Sequence, residues 1–115
     1  MSKYFSEDEL RCKCGCGQCL MDDFFLILLD SLREEVDEPI GVVSGYRCPK
    51  HDLEVKGEGN HPYGEAVDLA APTSHMKFKI VKAALQVGIT RIGIGKTFVH
   101  LDIVKNHPER VVWLY

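Results

Sequence analysis

Two histidines and two aspartates in this sequence are spaced so that they can bind a metal ion. His61 lies at the end of a loop and Asp68 in the apolar run that follows, while residues 98–103 alternate so that His100 and Asp102 share one strand face. Burying a carboxylate such as Asp68 is costly unless it is paired or coordinates a metal. Two histidines, a carboxylate and an open position for water form an established catalytic zinc site. The spacing therefore predicts zinc ligands at His61, Asp68 and His100, although it also allows a solvated loop histidine and an ordinary sheet histidine.

Capping residues and hydrophobic periodicity predict the helices that support this site. Ser6 and Glu9 form a capping box, which indicates a short helix near residues 6–10. Apolar residues then recur at spacings of three and four from Asp22 until Pro39, and residues 72–74 cap a further helix that ends at Gly88. The last two segments are the two principal helices of the prediction.

The remaining apolar runs predict strands over residues 40–44, 66–70, 91–94, 98–103 and 111–115. Trp113 and Tyr115 in the last strand are predicted core residues. A long loop over residues 45–64 precedes Asp68, and a loop of this length in a small domain usually has a function. We therefore expect an α+β fold in one domain over residues 1–115, with a mainly antiparallel sheet, two principal helices and a long metal-site loop.

Three motifs follow one another in the chain: Ser44-Gly45-Tyr46-Arg47-Cys48-Pro49-Lys50-His51, His61-x-x-Gly64-x-Ala66-x-Asp68, and Phe98-Val99-His100-Leu101-Asp102. Together they resemble the zinc D-alanyl-D-alanine carboxypeptidase family, and in particular its short, often phage-encoded members. The resemblance runs from Phe5 to the C-terminal Val112-Trp113-Leu114-Tyr115. It implies one catalytic zinc ion bound by His61, Asp68 and His100.

The resemblance also implies that Arg47 anchors the substrate by pairing with a carboxylate of the stem peptide. A guanidinium group suits this role because it offers two parallel N–H donors, which lysine cannot reproduce. His51 and Tyr63 lie in the same loop and are further candidates for substrate contact. Without the motif, all three would be ordinary loop residues.

Two positions depart from the family pattern. Gly59 stands where a serine is usual, and Thr97 stands where many members have an acidic general base. Threonine cannot accept a proton in that role, so Asp102, on the strand face of His100, is the candidate catalytic base. Asp102 could equally orient an imidazole ligand.

Four of the five cysteines, Cys12, Cys14, Cys16 and Cys19, lie in one segment, and Cys48 follows the arginine of the first motif. Their density suggests a second, structural zinc ion, although the spacing fits a zinc knuckle poorly. The alternatives are small buried and reactive surface thiols, or a disulfide to Cys48 in an oxidising space.

Composition limits the classes of partner and location. The chain has 115 residues, 45% of them hydrophobic and 27% charged, as in globular proteins. Its formal net charge of −3 provides no basic field for nucleic acid, and we expect a monomer. No apolar run approaches the roughly 18 residues of a membrane span. The start lacks the apolar segment of a signal peptide, so the sequence predicts a cytoplasmic protein that reaches the cell wall after release or within a phage particle.

The predicted function is that of a zinc metallopeptidase. Its substrates would be peptide bonds in bacterial peptidoglycan stem peptides or cross-links, cleaved as a D,D- or L,D-type carboxypeptidase or endopeptidase. Two alternatives keep the fold: an inactive zinc-containing binding module, which Thr97 favours, and a structural component of a phage tail.

Overall fold

A computed structural model describes residues 2–55, 57, 59–105 and 107–115. The helices are α1 (Glu7–Leu10), α2 (Asp23–Val36), α3 (Pro49–Glu54) and α4 (Ser74–Val87). The strands are β1 (Val42–Ser44), β2 (Ala66–Ala70), β3 (Arg91–Ile94), β4 (Phe98–Asp102) and β5 (Val111–Leu114), and a 3₁₀ turn covers His61–Tyr63.

The helix ends lie where the sequence predicts them because side chains satisfy the free backbone N–H groups. Ser6 and Glu9 make both hydrogen bonds of the capping box at α1. Asp22 accepts a hydrogen bond from the backbone of the first turn of α2, and Thr73 does the same for α4. α4 ends at Gly88 with φ of 95°, a left-handed conformation that glycine adopts without strain.

The five strands form one sheet in the order β1-β2-β4-β3-β5. The first three pairings are antiparallel, and β5 returns to pair in parallel with β3. The prediction of an α+β fold with a mainly antiparallel sheet is therefore confirmed. Within the described residues, every helix is too short or too polar to span a bilayer.

Alternate residues of the central strands face opposite sides of the sheet. Val67 and Leu69 of β2, with Val99 and Leu101 of β4, belong to the main hydrophobic core together with buried residues of α2 and α4. Their neighbours Asp68, His100 and Asp102 are buried as well, which means that the second face is also covered. Helices α2 and α4 thus occupy one face, and the polar residues of the motifs lie on the other.

The predicted long loop over residues 45–64 contains more structure than expected. α3 begins there because the Cys48 side chain accepts a hydrogen bond from the His51 backbone and Pro49 occupies the first turn. The helix has only 6 residues, too few for a periodic pattern to reveal. β1 is also shorter than the predicted strand, since it starts at Val42 rather than at Ile40.

Candidate metal centre

Strand register brings Asp68 and His100 side by side. The two residues are direct partners in the antiparallel pairing of β2 with β4. Nδ1 of His100 lies 2.9 Å from Oδ1 of Asp68. Two neighbouring central strands therefore provide a rigid support for an imidazole and a carboxylate.

His61 approaches the same carboxylate from the 3₁₀ turn. Its Nδ1 donates a hydrogen bond of 2.7 Å to the carbonyl oxygen of Gly45, and its Nε2 lies 3.6 Å from Oδ2 of Asp68. Gly64 has φ of 72° at the end of the turn, which redirects the chain into β2. A side chain at Gly64 would also collide with the backbone oxygen of Leu20.

The donor atoms of His61, Asp68 and His100 all lie within 4.8 Å of one another. Because a carbonyl oxygen only accepts, the hydrogen bond to Gly45 fixes the proton of His61 on Nδ1 and leaves Nε2 for a metal. In His100 the roles of the two ring nitrogens are reversed: Nε2 is held by the carboxylate of Asp102, and Nδ1 faces Asp68 and the metal position. This donor set fits zinc, which binds neutral imidazole nitrogens and carboxylate oxygens.

The electrostatics of the metal-free cluster reflect the close packing of these groups. Burial opposes the charged form of Asp68, but hydrogen bonds from His100 and His61 hold its pKa well below the usual range. Burial would lower the pKa of His100, but the carboxylates of Asp102 and Asp68 raise it to about 9. A proton on His100 therefore occupies the place that a metal cation would take.

Asp102 contacts the ring nitrogen of His100 that does not face Asp68. Its Oδ2 is 2.7 Å from Nε2 of His100, and its Oδ1 accepts hydrogen bonds from Nε of Arg91 at 2.6 Å and from the backbone N–H of Val104 at 3.1 Å. The residue is 0% exposed, and hydrogen bonds from His100 and Arg91 outweigh burial and lower its pKa. A carboxylate with these contacts fits the orienting role, the alternative to proton transfer that the sequence left open.

Arg47 is held against the cluster by three side chains. Its Nε donates to Ser44 at 3.0 Å, and its terminal nitrogens bind Asp52 at 2.8 Å and Asp68 at 3.3 Å. Asp52 is itself buried and also accepts a hydrogen bond from the backbone of Gly59. A Cβ at Gly57 would collide with this ion pair, which explains the glycine at that position.

A cavity of about 320 Å³ opens beside the three candidate ligands. Its described lining is formed by Arg47, Val55, Gly57, Asn60, His61, Asp68, Phe98, His100 and Tyr115. His51 and Tyr63 are not in this lining: His51 lies in α3 near Glu54, and Tyr63 is 64% exposed. Tyr115 was expected in the core, but it is 56% exposed and its ring centroid lies 6.3 Å from that of His100.

Three polar residues of this region were not predicted: Asp52, Arg91 and Asn60. The signal for Arg91 was a charged residue at the start of an apolar strand, which requires a buried partner. Asn60 is 3% exposed, and its Nδ2 points at Asp102 at 3.5 Å. Its Oδ1 is buried and has no hydrogen-bond partner within the described part of the chain. Asn60 also lines the cavity. Such a buried acceptor is suited to a ligand or bound water.

The cysteines divide into two groups. Sγ atoms of Cys12, Cys14, Cys16 and Cys48 lie within 4.8 Å of one another. Burial alone would raise the pKa of Cys12, but backbone N–H donors of Cys14 and Cys48 lower it to about 6. Cys19 packs instead against the main hydrophobic core.

A comparison with protein-family models finds one described as Peptidase M15, which matches residues 3–102. A comparison with curated proteins gives no match.

Proposed function

Since the chain belongs to the Peptidase M15 family, we propose that it is a zinc-dependent peptidase that hydrolyses peptide bonds in bacterial peptidoglycan. The observation that carries the proposal is the convergence of His61, Asp68 and His100 at a cavity whose rim carries Arg47. Bound zinc would polarise the scissile carbonyl and acidify a water molecule.

The remaining residues of the site prepare the ligands. Gly45 and Asp102 each hold one nitrogen of a histidine, which orients the other nitrogen toward the metal position. In this proposal Asp102 is a positioning residue, since it contacts Nε2 of His100 and is not among the described residues that line the cavity in which a substrate would lie.

Arg47 is the candidate binding group for a substrate carboxylate. Its three described hydrogen bonds use three of the five N–H groups of the guanidinium, so two remain for a ligand. The ion pair with Asp52 fixes the guanidinium plane, and a fixed plane favours bidentate binding of a carboxylate. His51 and Tyr63 lie outside the lining of the cavity and have no assigned role in this proposal.

Peptidoglycan lies outside the cytoplasm, so the protein would meet this substrate after release or as part of a phage particle. The proposal includes both stem peptides and cross-links as substrates, and both carboxypeptidase and endopeptidase action.

The test is incubation of the purified protein with purified peptidoglycan, followed by mass analysis of released peptides. We expect release that stops on addition of a chelator and returns with zinc. His100→Ala should be inactive, whereas Asp23→Asn, which changes an exposed carboxylate at the start of α2, should retain activity. Release that continues in the presence of chelator and in His100→Ala would contradict the zinc mechanism.

A second candidate function is that of a zinc-containing binding module. It is favoured by the lining of the cavity, where Asp68 has the only side-chain carboxylate among the described residues. Thr97, at the position of the family's usual acidic base, is exposed and provides no proton acceptor. A protein that holds zinc and binds peptidoglycan in a pull-down, but releases no peptide, would establish this function instead.

A further inference from the structure

The four clustered sulfur atoms have the spacing of a tetrathiolate metal site. Sγ of Cys14 lies 3.5 Å from that of Cys12 and 3.7 Å from that of Cys48. A tetrahedral zinc ion with Zn–S bonds of about 2.3 Å places its sulfur ligands about 3.8 Å apart. A disulfide requires an S–S distance of about 2.05 Å, and all five cysteines are free thiols. The arrangement therefore matches four separate ligands better than a pair of disulfides.

Backbone N–H groups point at these sulfur atoms. Cys48 donates to Sγ of Cys12 at 3.3 Å, His51 to Sγ of Cys48 at 3.4 Å, and Gln18 to Sγ of Cys16 at 3.5 Å. Hydrogen bonds to the charged form of a group stabilise that form, and thiolates are the form that binds zinc. Three of the four sulfur atoms are thus prepared as anionic ligands.

The local sequence folds into a turn that gathers three of the cysteines. In an extended strand, residues two apart lie about 7 Å from each other, too far for three thiols to share one ion. Gly15 and Gly17 adopt φ of 90° and 78°, which bends the segment between and after the cysteines. A backbone hydrogen bond of 2.9 Å from Cys12 to Gln18 closes the turn.

Little apolar packing supports this part of the molecule. Cys12, Tyr46 and Cys48 form a small cluster apart from the main core, with Met21 packed against it. Cys14 and Cys16 are exposed. A bound metal would supply the cohesion that this region does not obtain from hydrophobic burial.

We propose that Cys12, Cys14, Cys16 and Cys48 bind a structural zinc ion in a closed tetrathiolate site. The ion joins the N-terminal turn to Cys48, the N-cap residue of α3. Asp52 in the same helix holds Arg47, so the site also fixes the helix that positions the candidate substrate-binding guanidinium. Cys19, which packs against the main core, does not take part.

The test is the zinc content of the full-length protein, purified under reducing conditions, with Cys19→Ser as the matched control. Wild-type protein and Cys19→Ser should each bind about two zinc ions, counting one at each site, whereas Cys14→Ser should bind about one. Cys14 is exposed, so its replacement should not prevent folding. His100→Ala should also bind about one zinc ion, and cobalt in that variant should show the intense absorption of thiolate ligands.

A second measurement needs no variant. Titration of the wild-type protein with a mercurial thiol reagent should release one zinc ion to a colorimetric indicator as the cysteines react. Zinc content that is equal in Cys14→Ser and wild type, or equal loss in Cys19→Ser and Cys14→Ser, would overturn the proposal. Cobalt-loaded His100→Ala without thiolate absorption would overturn it as well. The difference in zinc content between Cys14→Ser and Cys19→Ser reports the cysteine site alone, so an inactive protein that shows this difference would contradict the peptidase function and leave this site intact.

Discussion

Replacing Asp102 by asparagine separates the two roles that this carboxylate can have beside the zinc ligands. The change keeps the size and shape of the side chain but removes its charge. Nε2 of His100, now 2.7 Å from a carboxylate oxygen, would face a neutral amide. If Asp102 orients His100, zinc should bind about 10- to 100-fold more weakly, which corresponds to about 1.4–2.7 kcal/mol.

The same substitution leaves the guanidinium of Arg91 without the negative charge of its partner at 2.6 Å. Removing one partner of a buried ion pair costs roughly 3–5 kcal/mol, a large share of the roughly 5–15 kcal/mol of a typical domain. The double variant Arg91→Gln with Asp102→Asn removes both charges and should recover part of this loss. Comparison of the two variants therefore separates the effect on folding from the effect on zinc.

The assay measures the zinc dissociation constant by chelator competition and peptide release at several zinc concentrations. With an orienting Asp102, excess zinc should restore most of the activity of Asp102→Asn. A general base contributes about 100-fold or more to turnover. A loss of that size at full zinc occupancy, with an unchanged dissociation constant, would refute the orienting role and make Asp102 the base.

Four further predictions concern the same site. His100→Ala should remove the zinc ion of the His61 site while leaving zinc on the cysteines, and full zinc retention in metal analysis would exclude His100 as a ligand. Because the pKa of His100 is raised to about 9 from roughly 6.5, its contribution to the stability of the metal-free protein should be full below about pH 6.5 and lost as the pH rises through about 9. The difference in thermal midpoint between wild type and His100→Ala, measured in chelator between pH 6 and 10, checks this, and a difference that stays constant or grows with pH contradicts it. Arg47→Lys keeps the charge but not the paired donors, so it should raise KM for carboxylate-bearing peptides with zinc content unchanged. Asp52→Asn should have a similar effect by releasing Arg47, with the exposed Glu54→Gln in the same helix as its control, and equal KM values would remove Asp52 from the site.

The sequence predicted the strand residues of the site because alternation in β4 is regular and both flanks of Asp68 are apolar. It could not predict that Asp68 lies directly opposite His100, since periodicity assigns faces but leaves strand order and register open. The parallel pairing of β5 with β3 could not be predicted for the same reason. This pairing brings Tyr115 to the cavity rather than into the core. Local patterns therefore gave the elements, and long-range pairing assembled the site.

The cysteines illustrate the same limit. Spacing grouped Cys19 with its three neighbours because all four lie within eight residues. In the folded chain, Cys48 joins Cys12, Cys14 and Cys16 while Cys19 turns toward the core. Cys48 replaces Cys19 in the cluster because the N-terminal segment packs against residues 45–48. A backbone hydrogen bond of 2.8 Å from Tyr46 to Leu10 holds the two segments together, and the sequence alone does not predict this contact.

Charge balance connects the metal position to the kind of ligand that the cavity should bind. Two ion-pair networks lie around the metal position among the described residues: one joins Arg47 to its two carboxylates, and the other joins Arg91 to its single carboxylate. Together they contain three carboxylates and two guanidinium groups. The carboxylates belong to Asp52, Asp68 and Asp102, and the guanidinium groups to Arg47 and Arg91.

The resulting single negative charge is compensated in the metal-free protein by the imidazolium of His100, whose pKa is raised to about 9. A divalent cation that replaces this proton would leave the networks with one positive charge in excess. Because that charge would lie in a largely buried site, an anionic partner is favoured over a neutral one. We therefore expect a peptide with a free carboxylate near Arg47 to bind better than its amide, a difference that should become smaller when the zinc ion is removed, since only the hydrogen bonds from Arg47 then remain.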